Sequence, residues 1–231
     1  DVGMGRTGAR EPETVVALAR AAANAETLTF RGVQGYSGMV QHIETYAERE
    51  KVYGAQLDHL ENVVAALSEA GLAPEIISGG GTGSYGIDAG RGLFTEHQSG
   101  SYLFMDVQYN AVELLPGGEM PWETALLIQN RVISNNRADF VTTDGGFKCF
   151  ATDGPFPEIV AGAPMGAQYT YFGDEFGRIV FAHAADHMEL GAVVELASPH
   201  CDPTVNLHDF YHCVRGETLV AIWPVAGRGV L

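Results

Sequence analysis

Apolar residues recur with two different periods along this chain, and the change falls near Pro121. Before it, the spacing is helical over 11–25, where Val15, Val16, Leu18, Ala19 and Ala22 share a face and Pro12 suits a first turn. A longer helix is predicted over 41–70 from Val52, Leu57, Leu60, Val63, Val64 and Leu67, with Gly71 as its stop. Short apolar runs at 28–33, 75–78 and 101–106 read as strands. The first two run into loops rich in glycine and polar residues, Gln34-Gly35-Tyr36-Ser37-Gly38 and Gly79-Gly80-Gly81-Thr82-Gly83-Ser84-Tyr85. Helices alternating with short strands predict βα units on a parallel sheet, with functional loops at the C-terminal ends of the strands.

Beyond Pro121 the runs are strand-like at 126–133, 139–144, 168–172, 179–184, 192–196 and 218–223. Turn signals such as Asp144-Gly145-Gly146, Gly173-Asp174 and Arg215-Gly216 separate them. No helix of ordinary length is predicted there. The expected fold class is α/β plus all-β, divided into 1–122 and 123–231, with no internal repeat.

Composition narrows the partners. The 231 residues, 46% apolar and 18% charged, are ordinary for a globular chain with a sizeable core. Thirteen Lys and Arg against 29 Asp and Glu give a net charge of −16, which argues against nucleic acid and anionic membrane surfaces as partners. No run approaches the ~18 apolar residues of a membrane span, and no basic-plus-apolar leader opens the chain. Cys149, Cys201 and Cys213 make no disulfide framework, so a reducing, cytoplasmic setting is expected.

Pro199-His200-Cys201-Asp202-Pro203-Thr204-Val205-Asn206 concentrates the candidate chemistry. In an extended backbone His200 and Asp202 would point the same way, with Cys201 facing away. One nitrogen and one carboxylate oxygen suit Zn²⁺ or Mn²⁺, and two ligands leave positions open as a catalytic metal requires. The alternative is a polar turn in which Asn206 caps the next segment. The Gly79–Tyr85 loop could gather N–H groups and the Thr82 and Ser84 hydroxyls around a phosphate, or be a plain turn. It lacks the lysine of an NTPase loop and the spacing of a dinucleotide fingerprint. Arg6 could meet an anionic oxygen or form a surface ion pair, and Tyr36 and Tyr85 could stack on a ring or fill space.

These motifs together resemble a known family. Asp1-Val2-Gly3-Met4-Gly5-Arg6-Thr7-Gly8 resembles a segment of the alanine-racemase-type (fold type III) pyridoxal-phosphate (PLP) enzymes. His200-Cys201-Asp202-Pro203-Thr204-Val205-Asn206-Leu207 is similar to the C-terminal signature of their D-threonine aldolase and D-serine dehydratase branch. The Gly79–Tyr85 loop, 100–106, 144–148 and Trp223-Pro224-Val225 follow in the family's order. The resemblance implies the C-terminal part of a TIM-type (β/α)8 barrel over 1–122 and a β domain carrying the metal motif over 123–231, in a homodimer when full length. It implies that Arg6 faces the phenolic oxygen of PLP and Tyr36 lies beside the ring. It further implies that Gly81, Thr82, Gly100 and Ser101 hold the phosphate and that Gln98 stands where racemases place an arginine against the ring nitrogen. A neutral partner there makes the ring a weaker electron sink and disfavours racemisation.

The same resemblance makes His200 and Asp202 catalytic metal ligands for Mn²⁺ or Zn²⁺, with Mg²⁺ a further choice. The implied reaction is cleavage of a D-3-hydroxy amino acid such as D-threonine to glycine and an aldehyde. His-x-Asp leans to the aldolases, because the eukaryotic dehydratases show His-x-Cys. The alternatives are a D-serine or 3-hydroxyaspartate dehydratase and a non-catalytic binding module. Two departures stand out. Neither Lys51 nor Lys148 matches the family's Schiff-base lysine, so a C-terminal fragment that begins inside the fold is expected. Phe176 also stands where relatives often show His.

Overall fold

The computed structural model describes residues 1–229 and divides them into two units. The first comprises Asp1–Tyr102 and Ala111–Pro121, and the second Leu103–Asn110 and the chain from Trp122 onward.

In the first unit, α1 (Pro12–Asn24), β1 (Gly32–Gly35), α2 (Tyr46–Glu69), β2 (Ile76–Gly79), α3 (Tyr85–Arg91) and β3 (Glu96–His97) follow one another. The strands form a parallel sheet in the order β1-β2-β3. Gly35 pairs with Gly79 and Gly79 with His97, so Tyr36, Gly80 and Gln98 leave the sheet side by side at its C-terminal edge. The chain enters β1 later than the pattern of 28–33 predicts.

Helix α2 buries Tyr53, Leu57, Leu60, Val63 and Leu67 at helical spacing. Full burial of each such side chain contributes about 1.5–3 kcal/mol. The helix starts at Thr45, whose hydroxyl accepts the Glu48 N–H at 3.4 Å. It ends in a Schellman turn: Gly71 takes φ +74°, its N–H donates to Ser68 O, and Leu72 N–H donates to Leu67 O. Arg49 is also buried, and its guanidinium donates to the carbonyls of Ile43, Glu44 and Glu113.

The second unit contains α4 (Val107–Asn110), β4 (Leu127–Ser134), β5 (Phe140–Thr143), β6 (Glu158–Ala161), β7 (Gln168–Tyr171), β8 (Gly177–Val180), β9 (Val193–Ala197), α5 (Cys201–Val205), β10 (Phe210–Arg215) and β11 (Thr218–Pro224). Six strands form an antiparallel sheet, β6-β9-β4-β5-β8-β7, whose edge strands β6 and β7 approach each other. Val132, Val141, Phe150, Tyr169, Ile179, Met188, Val194 and Leu196 fill its core. β10 and β11 pair as a separate antiparallel ribbon.

The strand expected over 101–106 does not form. Ser101–Leu103 is a 3-10 turn, and buried Met105 adopts φ +52°. Asp106 then caps α4 by accepting the Tyr109 N–H at 2.9 Å. The apolar run Tyr102-Leu103-Phe104-Met105 mimics a strand, but the left-handed backbone at Met105 and the cap at Asp106 turn the chain into a helix. Among the described residues, no helix is long and apolar enough to cross a membrane.

Candidate functional site

Two groups of candidate residues take shape, one in each unit. In the first unit the Arg6 guanidinium lies 5.8 Å from the centre of the Tyr36 ring. Both line a concavity of about 270 Å³ together with Gln34. Gln34 reaches Gln98, donating from Nε2 to Gln98 Oε1 at 3.4 Å, while Gln98 donates from its own Nε2 to Ser78 Oγ at 2.8 Å. The neutral Gln98 side chain is therefore oriented from both ends, next to the residues that the parallel register places at the same sheet edge.

The Gly79–Tyr85 loop is held tightly. Gly80 has φ +69°, and a Cβ there would come within 2.3 Å of His97 Nε2 and 2.5 Å of Asp88 Oδ2. At Gly83 a Cβ would meet Gln41 O at 2.0 Å. Only glycine fits either place. Beneath the loop, Ser84 Oγ donates to Asp88 Oδ2 at 2.7 Å and His97 Nε2 lies 2.8 Å from the same oxygen. Burial, followed by the nearby Asp88 charge, raises the pKa of Tyr53 in this region.

Two N–H groups that the glycine pattern offers to an anion are engaged within the protein. Gly81 N–H donates to Ser84 Oγ at 3.0 Å, and Gly83 N–H to Gln41 Oε1 at 2.8 Å. The loop thus has fewer donors for a phosphate than its composition suggests. Thr82 Oγ1 accepts the Tyr102 N–H at 3.1 Å, which draws the Gly100–Ser101 segment to the loop and leaves the Thr82 hydroxyl hydrogen as a donor. Ser101 is buried and Gly100 exposed. Lys51 is exposed on α2, and Lys148, in the second unit, pairs with Glu175.

In the second unit, His200 is extended (φ −146°, ψ 117°) and caps α5, so Asp202 lies in a helical turn. The extended spacing expected for the motif is thus corrected, because Pro203 is tolerated in a first helical turn and the chain coils directly after His200. The pair still converges: His200 Nε2 and Asp202 Oδ2 are 3.5 Å apart. Cys201 points into the interior with no exposure. Asp202, and to a lesser degree Asp153, push the His200 pKa up to about 9 against partial burial, which opposes the charge.

Two carboxyls that the spacing does not reveal hold this motif. Asp153 Oδ2 lies 2.8 Å from His200 Nδ1. Asp106, fully buried, accepts the Cys201 N–H at 2.8 Å through the oxygen not used for Tyr109. Its place before a short helix is a capping signal, whereas nothing in the sequence marks Asp153. Asp202, Asn206, Tyr211 and Val225 border a concavity of about 320 Å³. Among the described residues no three His, Cys, Asp or Glu side chains are arranged to hold a metal. A cation at His200 and Asp202 would have two protein ligands, and a 3.5 Å donor separation fits two ligands about 2.0–2.2 Å from one ion.

Comparison with known proteins places the chain among relatives of both units. Residues 1–108 match the model for the alanine racemase N-terminal domain, and residues 125–214 the model named "Putative serine dehydratase domain". A 3-hydroxy-D-aspartate aldolase of Paracoccus denitrificans (strain Pd 1222) is 37% identical over 232 residues, and a D-threonine aldolase of Arthrobacter sp is 38% identical over 229. Each alignment covers 99% of this chain and 59% of the relative, so the chain spans about three fifths of the length of these curated relatives. The crystal structure of D-threonine aldolase from Filomicrobium marinum superposes with a TM-score of 0.93 at 33% identity, covering 99% of this chain and 62% of that one. D-threo-3-hydroxyaspartate dehydratase from Delftia sp. HT23 shares the fold, with a TM-score of 0.75 at 19% identity over 94% of this chain and 61% of that one. With an alanine-racemase-like first unit, a β unit carrying His200-Cys201-Asp202, and these relatives along nearly all of its length, the chain belongs to the D-threonine aldolase and D-serine dehydratase-like family of alanine-racemase-type proteins.

Proposed function

We propose that this chain is part of a PLP- and divalent-metal-dependent lyase that cleaves D-3-hydroxy amino acids, D-threonine among them, to glycine and an aldehyde. The observation that carries this reading is the convergence of His200 Nε2 and Asp202 Oδ2 at 3.5 Å in a chain whose relatives are aldolases. The pair would hold Mn²⁺ or Zn²⁺, with Mg²⁺ the weaker match to a nitrogen ligand. Such a cation would act as a Lewis acid on the substrate β-hydroxyl and lower its pKa. Bound PLP would supply an electron sink for charge developing at Cα.

This chain's own residues would set the cofactor's place. Arg6 would face its phenolic oxygen and Tyr36 its ring, consistent with their shared concavity. Gln98 would offer the ring nitrogen a neutral amide, which would make the ring a weaker electron sink and disfavour racemisation. Thr82, Gly81, Gly100 and Ser101 would hold the phosphate. Neither Lys51 nor Lys148 belongs to this group of residues, so a covalent anchor would come from outside them. In the same reading, 1–122 is the C-terminal part of a TIM-type barrel and 123–231 its β domain, in a cytoplasmic homodimer when full length.

The test uses the full-length gene product with PLP and Mn²⁺, given D-threonine or D-3-hydroxyaspartate. Glycine plus an aldehyde is expected. Ammonia plus a 2-oxo acid would replace the aldolase with a dehydratase. Absence of any cofactor absorbance band would leave a binding module instead.

A further inference from the structure

His200 has two ring nitrogens, and the structure gives them different carboxyl partners. Nε2 lies 3.5 Å from Asp202 Oδ2, and Nδ1 lies 2.8 Å from Asp153 Oδ2. A neutral imidazole that ligates through one nitrogen carries its proton on the other. We propose that Asp153 is the positioning residue of the cation site: it accepts the Nδ1–H of His200, leaves Nε2, the nitrogen beside Asp202, as the one that gives up its proton to a cation, and so sets the affinity of the pair for a divalent cation. This rests on the metal reading of His200 and Asp202 given above.

The loop that presents Asp153 is tied to the turn that presents the pair. Ala151 N–H donates to Thr204 Oγ1 at 3.0 Å, and Thr204 is fully buried on the same helical turn as Asp202. The Tyr171 hydroxyl donates to Ala151 O at 3.1 Å. Gly154 lies so close to Gln108 that a Cβ would come within 2.9 Å of its Nε2. The Phe156 ring centre is 5.5 Å from that of Tyr171. Asp153 is more than half exposed at the surface, yet the backbone is hydrogen-bonded at Ala151 and the chain packs at Gly154 and Phe156 on its other side. Because it meets the ring edge opposite Nε2, it acts through His200 and is not a ligand itself. A carboxylate on the second nitrogen fixes ring orientation and raises ligand basicity, and its loss costs metal affinity about 10–100-fold.

The experiment measures Zn²⁺ affinity of the chelator-stripped full chain by competition with a chromophoric chelator. The variants are Asp153→Ala, Asp153→Glu, His200→Ala and Asp202→Ala. Asp153→Ala should weaken binding about 10–100-fold, and Asp153→Glu should recover most of it. In Zn²⁺-loaded protein labelled with ¹⁵N-histidine, the parent should show a protected Nδ1–H on His200 that disappears in Asp153→Ala. Parent-like affinity in Asp153→Ala, with binding lost in His200→Ala, would overturn the positioning role and leave the cation site standing. Weakened affinity with the Nδ1–H signal intact would also overturn it, as a merely structural effect. Parent-like affinity in both His200→Ala and Asp202→Ala would remove the cation site on which the proposal rests.

Discussion

Replacing Asp106 by Asn should unfold the second unit at markedly lower denaturant. The Asp106 side chain has no exposure, and its two oxygens accept the Tyr109 N–H at 2.9 Å and the Cys201 N–H at 2.8 Å. Asparagine has one acceptor oxygen, so its amide NH₂ would face the other N–H. One charge-assisted bond is lost, worth about 1.5–3 kcal/mol, and the remaining bond weakens from charged to neutral. The expected loss is about 2–4 kcal/mol. Both tryptophans, Trp122 and Trp223, lie in the second unit, so their fluorescence follows that unit in a urea titration. With a slope of about 2 kcal/mol/M, the midpoint should fall by roughly 1–2 M and the slope should stay constant. A loss below about 0.5 kcal/mol, the usual scatter of a surface substitution, would refute the reasoning. It would mean that the two N–H groups find other acceptors without cost.

Two further outcomes are expected. Gly71→Ala should destabilise the first unit by about 1 kcal/mol, read as a lower midpoint of far-UV circular dichroism. Gly71 holds φ +74° with nothing within 4 Å of an added Cβ, so backbone strain alone acts. Burial pushes the Cys149 thiol up to about 12, with the Asp144 charge adding to it, so the thiol stays protonated at pH 8. Iodoacetamide at pH 8 should therefore leave Cys149 unmodified in the native chain and alkylate it in urea, as checked by peptide mass spectrometry.

What the amino-acid pattern reveals depends on how local the cause is. Helix α2 is legible because Leu57, Leu60, Val63 and Leu67 repeat at the helical period and Gly71 stops it, all within one segment. The strands of the β unit are legible from their alternation and intervening turns. The run 101–106 misleads because its fate is decided by the left-handed backbone at Met105 and by two N–H groups, one of them on Cys201. The short strands β6 and β10 escape notice for a similar reason: Glu158–Ala161 and Phe210–Arg215 are defined by their partners β9 and β11. At the candidate site, His200 and Asp202 can be picked out because they are two residues apart. Their convergence follows from a helical turn, whereas an extended strand is what the spacing suggests. Asp153 is invisible because its relation to His200 is purely spatial. In the Gly79–Tyr85 loop composition overstates the number of N–H groups left for a ligand, since Gly81 and Gly83 give theirs to Ser84 and Gln41.

The His200 ring finds its partner 47 residues away in sequence, and the Cys201 N–H finds its acceptor 95 residues away. The unfolded chain keeps His200 and Asp202 two residues apart but lacks the Asp153 and Asp106 contacts that orient them, so the oriented pair forms only once these long loops close. An ion that binds the folded motif and not the open chain pulls the equilibrium toward the folded state by RT ln(1 + [L]/Kd), about 2.7 kcal/mol at a hundredfold excess over Kd. Thermal stability of the β unit would then depend on free metal concentration, and a cell short of that metal would hold more of the unit open and exposed to proteases. Under the proposed cation site, abundance of the protein would follow metal supply.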